Sequence, residues 1–192
     1  MKNFKLNTIL VPTDFSEASQ KALNHAISLS KKSFAKIVLL HVVKSSQFVS
    51  PIDLLSSGYI ITQMHENSMA NLKIMSDKLR KEHNIDIDFA SYSGNVYDNI
   101  IEAANSYDVD LIVMGSNCSS RLKEWLFGST AINIIDTALV PVLTICLNSN
   151  KCYFKKIIFP FNEILLTLKK IEQVMLIAKI YSAEIMLLGI TK

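Results

Sequence analysis

The sequence predicts an α/β protein built on a parallel sheet, and three observations carry that reading. Short apolar runs without alternation, at Ile9–Val11, within Lys36–Val43 and at Leu111–Met114, suit strands covered on both faces. Stretches with helical spacing separate these runs, as strand–helix–strand crossovers require. Finally, Asp110 to Thr130, DLIVMGSNCSSRLKEWLFGST, passes from a buried strand through Gly115 and a polar loop to Gly128-Ser129-Thr130 at the head of a new apolar segment. That order can aim backbone N–H groups at a phosphate, with Gly115 free to take positive φ or let a ligand approach. It also suits any parallel sheet that ends strands at Gly and starts helices at Ser or Thr. Neither Gly-Lys-Ser/Thr nor GxGxxG occurs in it.

Composition narrows the classes. The chain has 192 residues, 49% apolar and 19% charged, enough for one good core and part of another. A net charge of +3 with no basic run argues against a nucleic-acid partner. No uninterrupted apolar run approaches 18 residues, so no membrane span is expected. The start, MKNFKLNT, lacks the apolar region of a signal peptide, which makes the cytoplasm the expected location. Cys118, Cys146 and Cys152 are odd in number and lack CxxC spacing, so they read as free thiols.

In chain order, Lys5–Val11 reads as the first strand, and Pro12-Thr13-Asp14-Phe15 leaves it. Ser16 is the expected N-cap of a helix to about Lys32, marked by Ala18, Ala22, Leu23, Ala26, Ile27 and Leu29. Asp14 thus lies beyond the carboxyl end of a strand, where open α/β sheets bind ligands; a carboxylate there can also help cap the helix. Lys36–Val43 is the second strand, with His41 as a core histidine. Lys44–Gly58 reads as a loop leading into a helix from about Tyr59 to His83, packed through Ile61, Met64, Met69, Leu72, Met75 and Leu79. His65 and His83 look solvated. Ile85–Tyr92 alternates like a sheet-edge strand, Gly94 breaks it, and Val96, Ile100, Ile101 and Ala104 mark a helix to about Ser106. Asp108 and Asp110, at a strand's amino end, read as turn and solubility residues. In the following loop, Trp125, Leu126 and Phe127 read as packing residues, and Arg121 and Lys123 as the cations nearest any phosphate. A helix from Ser129 to about Ala138 and a fifth strand at Val142–Cys146 follow.

Gly115, two residues, Cys118, nine residues, Gly128-Ser129 resembles the universal stress protein signature G-x2-G-x9-G-[S/T]. TILVPTDFS at Thr8–Ser16, KIVLLHVV at Lys36–Val43 and VPVLTI at Val140–Ile145 also resemble that family, so the likeness spans about residues 6–147. It implies a five-stranded parallel open sheet, order 3-2-1-4-5, with helices on both faces, of the adenine-nucleotide α-hydrolase-like kind. It implies an adenine nucleotide such as ATP, with Mg²⁺ as a candidate companion. Pro12, Thr13, Asp14 and Val42 would hold the nucleoside, Gly115, Ser116, Gly128, Ser129 and Thr130 would hold the phosphates, and Met114 and Cys118 would complete the nucleotide site. The motif's second glycine is Cys118 here, and Ser119 follows where the family often has a basic residue. The family also contains members that dimerise and bind no nucleotide, and that regulatory reading stands as the alternative. Catalysis would amount at most to slow ATP hydrolysis, since no nucleophile–His pair or dedicated lysine is evident.

Residues 157–192 repeat residues 9–44 without a gap: IIFPFN matches ILVPTD, and AEIMLLGITK matches AKIVLLHVVK. This looks like the first strand–helix–strand of a second stress-protein domain, with Asn162 where the first copy has Asp14. The expected layout is a domain over 1–147, a linker over 148–155 and a partial repeat over 156–192. A strand–helix–strand unit buries its faces poorly alone. The chain is therefore expected to be part of a tandem protein, to pack its tail on a partner, or to dock it on the first domain. The resemblance implies a homodimer or pseudo-dimer through the fifth strand and this repeat, which would also cover an open edge.

Overall fold

A computed structural model describes residues 5–44, 54–116, 129–161 and 164–189. The elements run β1 (Thr8–Pro12), α1 (Glu17–Ser33), β2 (Lys36–Val43), α2 (Leu54–His83), β3 (Ile87–Ser93), α3 (Val96–Ser106), β4 (Leu111–Ser116), α4 (Ser129–Thr137), β5 (Val142–Cys146), β6 (Lys156–Phe161), α5 (Ile164–Tyr181) and β7 (Glu184–Gly189). The first five strands form one parallel sheet in the order β3-β2-β1-β4-β5.

Strand alternation builds two cores from this sheet. Ile9, Val11, Ile37, Leu39, Leu111 and Val113 point to one face and pack with Ala22, Leu23, Ala26 and Leu29 of α1 and Leu72 and Leu79 of α2. Leu10, Val38, Leu40, Val42, Ile112 and Met114 point to the other and pack with Ile100, Ala103 and Ala104 of α3 and Ala131 and Ile134 of α4. Both faces are covered, which is why these strands read as unbroken apolar runs.

Several expectations shift. β1 begins at Thr8, and β4 runs through Gly115 to Ser116. Helix α2 begins at Leu54, while residues 45–53 lie outside the described residues. Met64 is half exposed and adds little to the core. His65 is not solvated, because its Nε2 lies 2.7 Å from the Ser91 carbonyl and ties α2 to the edge strand β3. Asp110 is more than a turn residue. Its carboxylate accepts from the backbone N–H groups of Asn7 at 2.7 Å and Thr8 at 3.0 Å, and its own N–H donates to the Thr8 carbonyl at 3.0 Å. These bonds fasten the entry of β1 to the entry of β4.

The tail forms a separate two-stranded parallel sheet, β6–β7, and α5 docks it on α1. Leu176, Ile177, Ile180 and Tyr181 pack against the first core, and the Tyr181 hydroxyl lies 3.2 Å from Ser28 Oγ. Phe154 sits between His25 (5.8 Å) and Tyr181 (5.4 Å, edge-on). The tail parallels β1, α1 and β2 in backbone detail. Thr8 pairs with Lys36 and Lys156 with Glu184, and the helix of each copy is followed by a left-handed residue, Phe34 (φ 61°) and Ser182 (φ 53°). What differs is cover. Ile158, Met186 and Leu188 stand where Leu10, Val38 and Leu40 stand in the first copy, yet they are 63, 45 and 53% exposed, whereas their counterparts are buried under α3 and α4. Among the described residues no helix is long and apolar enough to cross a membrane.

Replacing Asp110 by alanine leaves two backbone donors without their charged acceptor. Urea unfolding should show a loss of about 1.5–3 kcal/mol. Asp110→Asn, which keeps a carbonyl acceptor, should lose less, and equal stability of Asp110→Ala and wild type would contradict this role.

Candidate functional site

Strands β1 and β4 are neighbours at the sheet centre, but their connections leave for opposite faces, β1 into α1 and β4 toward α4. That divergence opens a crevice at their carboxyl ends. A cleft of about 210 Å³ lies there. Its walls are Pro12, Thr13 and Asp14 after β1, Ser16, Ala18 and Ser19 at the head of α1, and Leu40, Val42 and Lys44 from β2 and its end. Val96 and Ile100 of α3, Met114, Gly115 and Ser116 of β4, and Thr130 and Ala131 of α4 complete it. A larger groove of about 700 Å³ lies at the other end of the strands, beside Leu111, Val142, Phe159 and Ile177. Its lining is mostly apolar, with Lys156, Lys170 and Gln173 the polar exceptions, and includes no hydroxyl side chain, which makes the smaller cleft the candidate site.

Hydrogen bonds fix the turn after β1 from several sides. Thr13 donates its N–H to the Leu40 carbonyl at 2.8 Å, its hydroxyl lies 3.2 Å from Ser19 Oγ, and it accepts from the Phe15 N–H at 3.1 Å. The Thr13 carbonyl lies 2.8 Å from His41 Nδ1. A carbonyl only accepts, so Nδ1 carries the proton, and His41 fills the core role expected of it. Phe15 adopts φ 62°, uncommon for a bulky residue, and rests its ring 4.8 Å from the His41 ring. Asp14 is left exposed at the cleft. Its carboxylate accepts from the Ser16 N–H at 3.0 Å and the Ser16 hydroxyl at 2.5 Å. Ser16 in turn caps α1 by accepting from the Ser19 N–H at 3.3 Å. Partial burial pushes the Asp14 carboxyl up, and hydrogen bonds from Ser16 and Ser19 outweigh it, holding the group below its ordinary 3.8. The stabilisation this network gives is therefore present above that value and is lost as pH falls through the lowered one.

Gly115 has a different reason from the one its sequence context suggests. It lies within β4 and is absent from the residues with positive φ. A Cβ built on it would lie 2.4 Å from the carbonyl carbon and oxygen of Ala18 and 2.7 Å from the Ser19 nitrogen. The residue is glycine because the first turn of α1 passes directly over it.

Pro12, Thr13, Asp14, Val42, Met114, Gly115, Ser116 and Thr130 thus meet around one cleft. Ser129 opens α4, though its side chain lies outside the described residues, as do Cys118, Gly128, Ser119, Arg121, Lys123, Trp125, Leu126 and Phe127. Ser19 and Lys44 went unread. Ser19 falls one helical turn after the N-cap, and Lys44 directly follows the carboxyl end of β2; both were signals available in the sequence. Cys146 is disulfide-bonded rather than a free thiol, while Cys152 is free. No cluster of three or more His, Cys, Asp or Glu suited to a metal occurs among the described residues.

Comparison with known proteins agrees with this geometry. The model of the universal stress protein family matches residues 5–145. The universal stress protein MJ0531 of Methanocaldococcus jannaschii is 33% identical over 139 residues, covering 71% of this chain and 80% of the relative. The crystal structure of a universal stress protein from Archaeoglobus fulgidus superposes with a TM-score of 0.80 at 23% identity, over 98% of this chain and 69% of that one. A universal stress protein family member from Arabidopsis thaliana, solved with AMP bound, gives a TM-score of 0.51 at 22% identity, over 75% and 94% of the two chains.

Gly115→Ala should force the head of α1 away from β4, since the clashing atoms are backbone. A loss of about 1–3 kcal/mol in denaturant unfolding is expected, with amide shift changes centred on Ser16–Ser19. A variant as stable as wild type with α1 unmoved would contradict the packing account.

Proposed function

The chain belongs to the universal stress protein family, and from that premise we propose that the cleft between β1 and β4 binds an adenine nucleotide, ATP or a close relative. The observation that carries the proposal is convergence: residues separated by about a hundred positions, Pro12–Asp14 and Met114–Ser116, line one crevice with Val42 and Thr130. In this reading Pro12, Thr13, Asp14 and Val42 hold the nucleoside. Backbone N–H groups and hydroxyls of Gly115, Ser116, Ser129 and Thr130 hold the phosphates, joined by Cys118 and Gly128 from the segment between. Lys44 supplies a cation at the cleft wall. Mg²⁺ would arrive with the phosphates rather than in a protein-built metal site. The AMP-bound structure of the Arabidopsis thaliana relative supports the ligand class.

The protein then acts as a nucleotide-dependent stress-response module in the cytoplasm rather than an efficient enzyme. Residues 156–192 form a partial second domain, and β5 together with this repeat provides a dimer or pseudo-dimer contact. The exposed face at Ile158, Met186 and Leu188 favours a second reading, regulation through protein contacts without nucleotide.

Calorimetric titration of the reduced chain with ATP and Mg²⁺, after testing for carried-over nucleotide by denaturing release, should show saturable micromolar binding. Absence of binding up to millimolar ATP would overturn the nucleotide reading. If the motif's glycine position requires a left-handed backbone, Cys118 costs about 1–2 kcal/mol. Cys118→Gly should then tighten binding roughly 5- to 30-fold, and unchanged or weaker affinity would reject that account.

A further inference from the structure

We propose that the groove at the amino ends of the strands is a second ligand site, which takes an amphipathic anion: an aliphatic carboxylate with its chain inside and its head at the mouth. The proposal is independent of the nucleotide reading, because among the described residues the groove and the β1–β4 cleft share no lining residue. The groove lies where the tail meets the five-stranded sheet. Leu111 and Val142, the first residues of β4 and β5, line it together with Leu139, which follows α4. Phe159 of β6 and Val174 and Ile177 of α5 complete the wall. Its volume of about 700 Å³ falls within the roughly 300–1,000 Å³ of sites that enclose a small organic molecule.

The lining is graded in polarity. Leu6, Leu111 and Phe159 are 4, 4 and 8% exposed, so the deep part of the groove is out of water. The cations stand in solvent: Lys170 is exposed, and the Lys156 side chain is 66% exposed. Lys156 shares its charge with Glu184 at 3.6 Å, whereas Lys170 has no ion-pair partner among the described residues. None of the described lining residues is acidic, and Gln173 is their one neutral polar side chain. Walls of this kind reject a sugar or a nucleotide, whose polar groups would give up water without a partner. They favour an aliphatic chain, each buried methylene of which tightens binding by up to about fourfold. The lysines make the head an anion: their stems can lie along the apolar wall with the ammonium groups in water, and the Gln173 amide can donate to a carboxylate beside them.

A second copy of the chain suits the groove less well. In a two-fold interface the same patch meets itself. That would bring Lys156 and Lys170 toward their own copies, with no acid among the described lining residues to receive them. A carboxylate supplies the charge that the lining lacks.

The full chain is titrated with dodecanoate below its micelle-forming concentration, with octanoate and dodecylammonium as comparisons, and followed by calorimetry and by the amide shifts of ¹⁵N-labelled protein. Dodecanoate should bind saturably, with shifts centred on Leu111, Val142, Phe159 and Ile177 and none at Thr13 or Gly115. Octanoate, with its shorter chain, should bind at least about tenfold more weakly. Dodecylammonium should bind more weakly than dodecanoate, and Lys170→Glu should weaken dodecanoate by about two- to fivefold, the range of an exposed ion pair. Equal binding of the anionic and cationic amphiphiles, uptake without saturation, or shifts that fall elsewhere would overturn the proposal. So would a dimer, seen by light scattering, whose dissociation on dilution moves the same amides, since a second copy would then fill the groove. If ATP binds and dodecanoate does not, this proposal alone falls. If dodecanoate binds in the groove and ATP shifts nothing, this proposal stands and the nucleotide reading alone falls.

Discussion

The close approach of α1 to β4 decides the shape of the site. The first turn of α1 crosses β4 so tightly that a single methyl at Gly115 would meet the Ala18 carbonyl at 2.4 Å. With the helix seated there, Ser16 and Ser19 are held above the end of β4, and the Thr13–Asp14 turn is drawn in by its bonds to Ser19, Leu40 and His41. The cleft is the space left between that turn and the end of β4. Packing of helix on sheet, a matter of van der Waals distance, thus sets the shape of a site whose chemistry is polar.

Much of this was legible because strands covered on both faces leave an unambiguous trace. β2 and β5 fall where the apolar runs fall, and α3 opens at Val96 because Gly94 (φ 127°) and the Asn95 cap end the preceding strand. The walls of the cleft were legible too, since they sit at carboxyl ends of strands. The reason for Gly115 was not, because a glycine that admits a helix and one that admits a ligand look alike in sequence. Asp110 and His65 escaped for a related cause. Each acts across a gap that one-dimensional spacing does not encode: β4 to β1, and α2 to β3.

The tail shows what a fold unit gains from its neighbours. β6, α5 and β7 reproduce the pairing register of β1, α1 and β2. That register does not cover the unit. Phe159 and Ala178 are buried, yet Ile158, Met186 and Leu188 stay open where their counterparts Leu10, Val38 and Leu40 lie under α3 and α4. Apolar area left in water forgoes about 25 cal/mol per Å², and this face leaves that stabilisation unused.

The most direct test of the central claim, that the β1–β4 cleft is the nucleotide site, is an amide chemical-shift map of the ¹⁵N-labelled reduced chain as ATP and Mg²⁺ are added. The account predicts saturable shifts clustered on Thr13, Asp14, Val42, Gly115, Ser116 and Thr130, with β6 and β7 unmoved. Shifts centred on the apolar groove beside Leu111, Val142 and Phe159, or none at millimolar ATP, would contradict it.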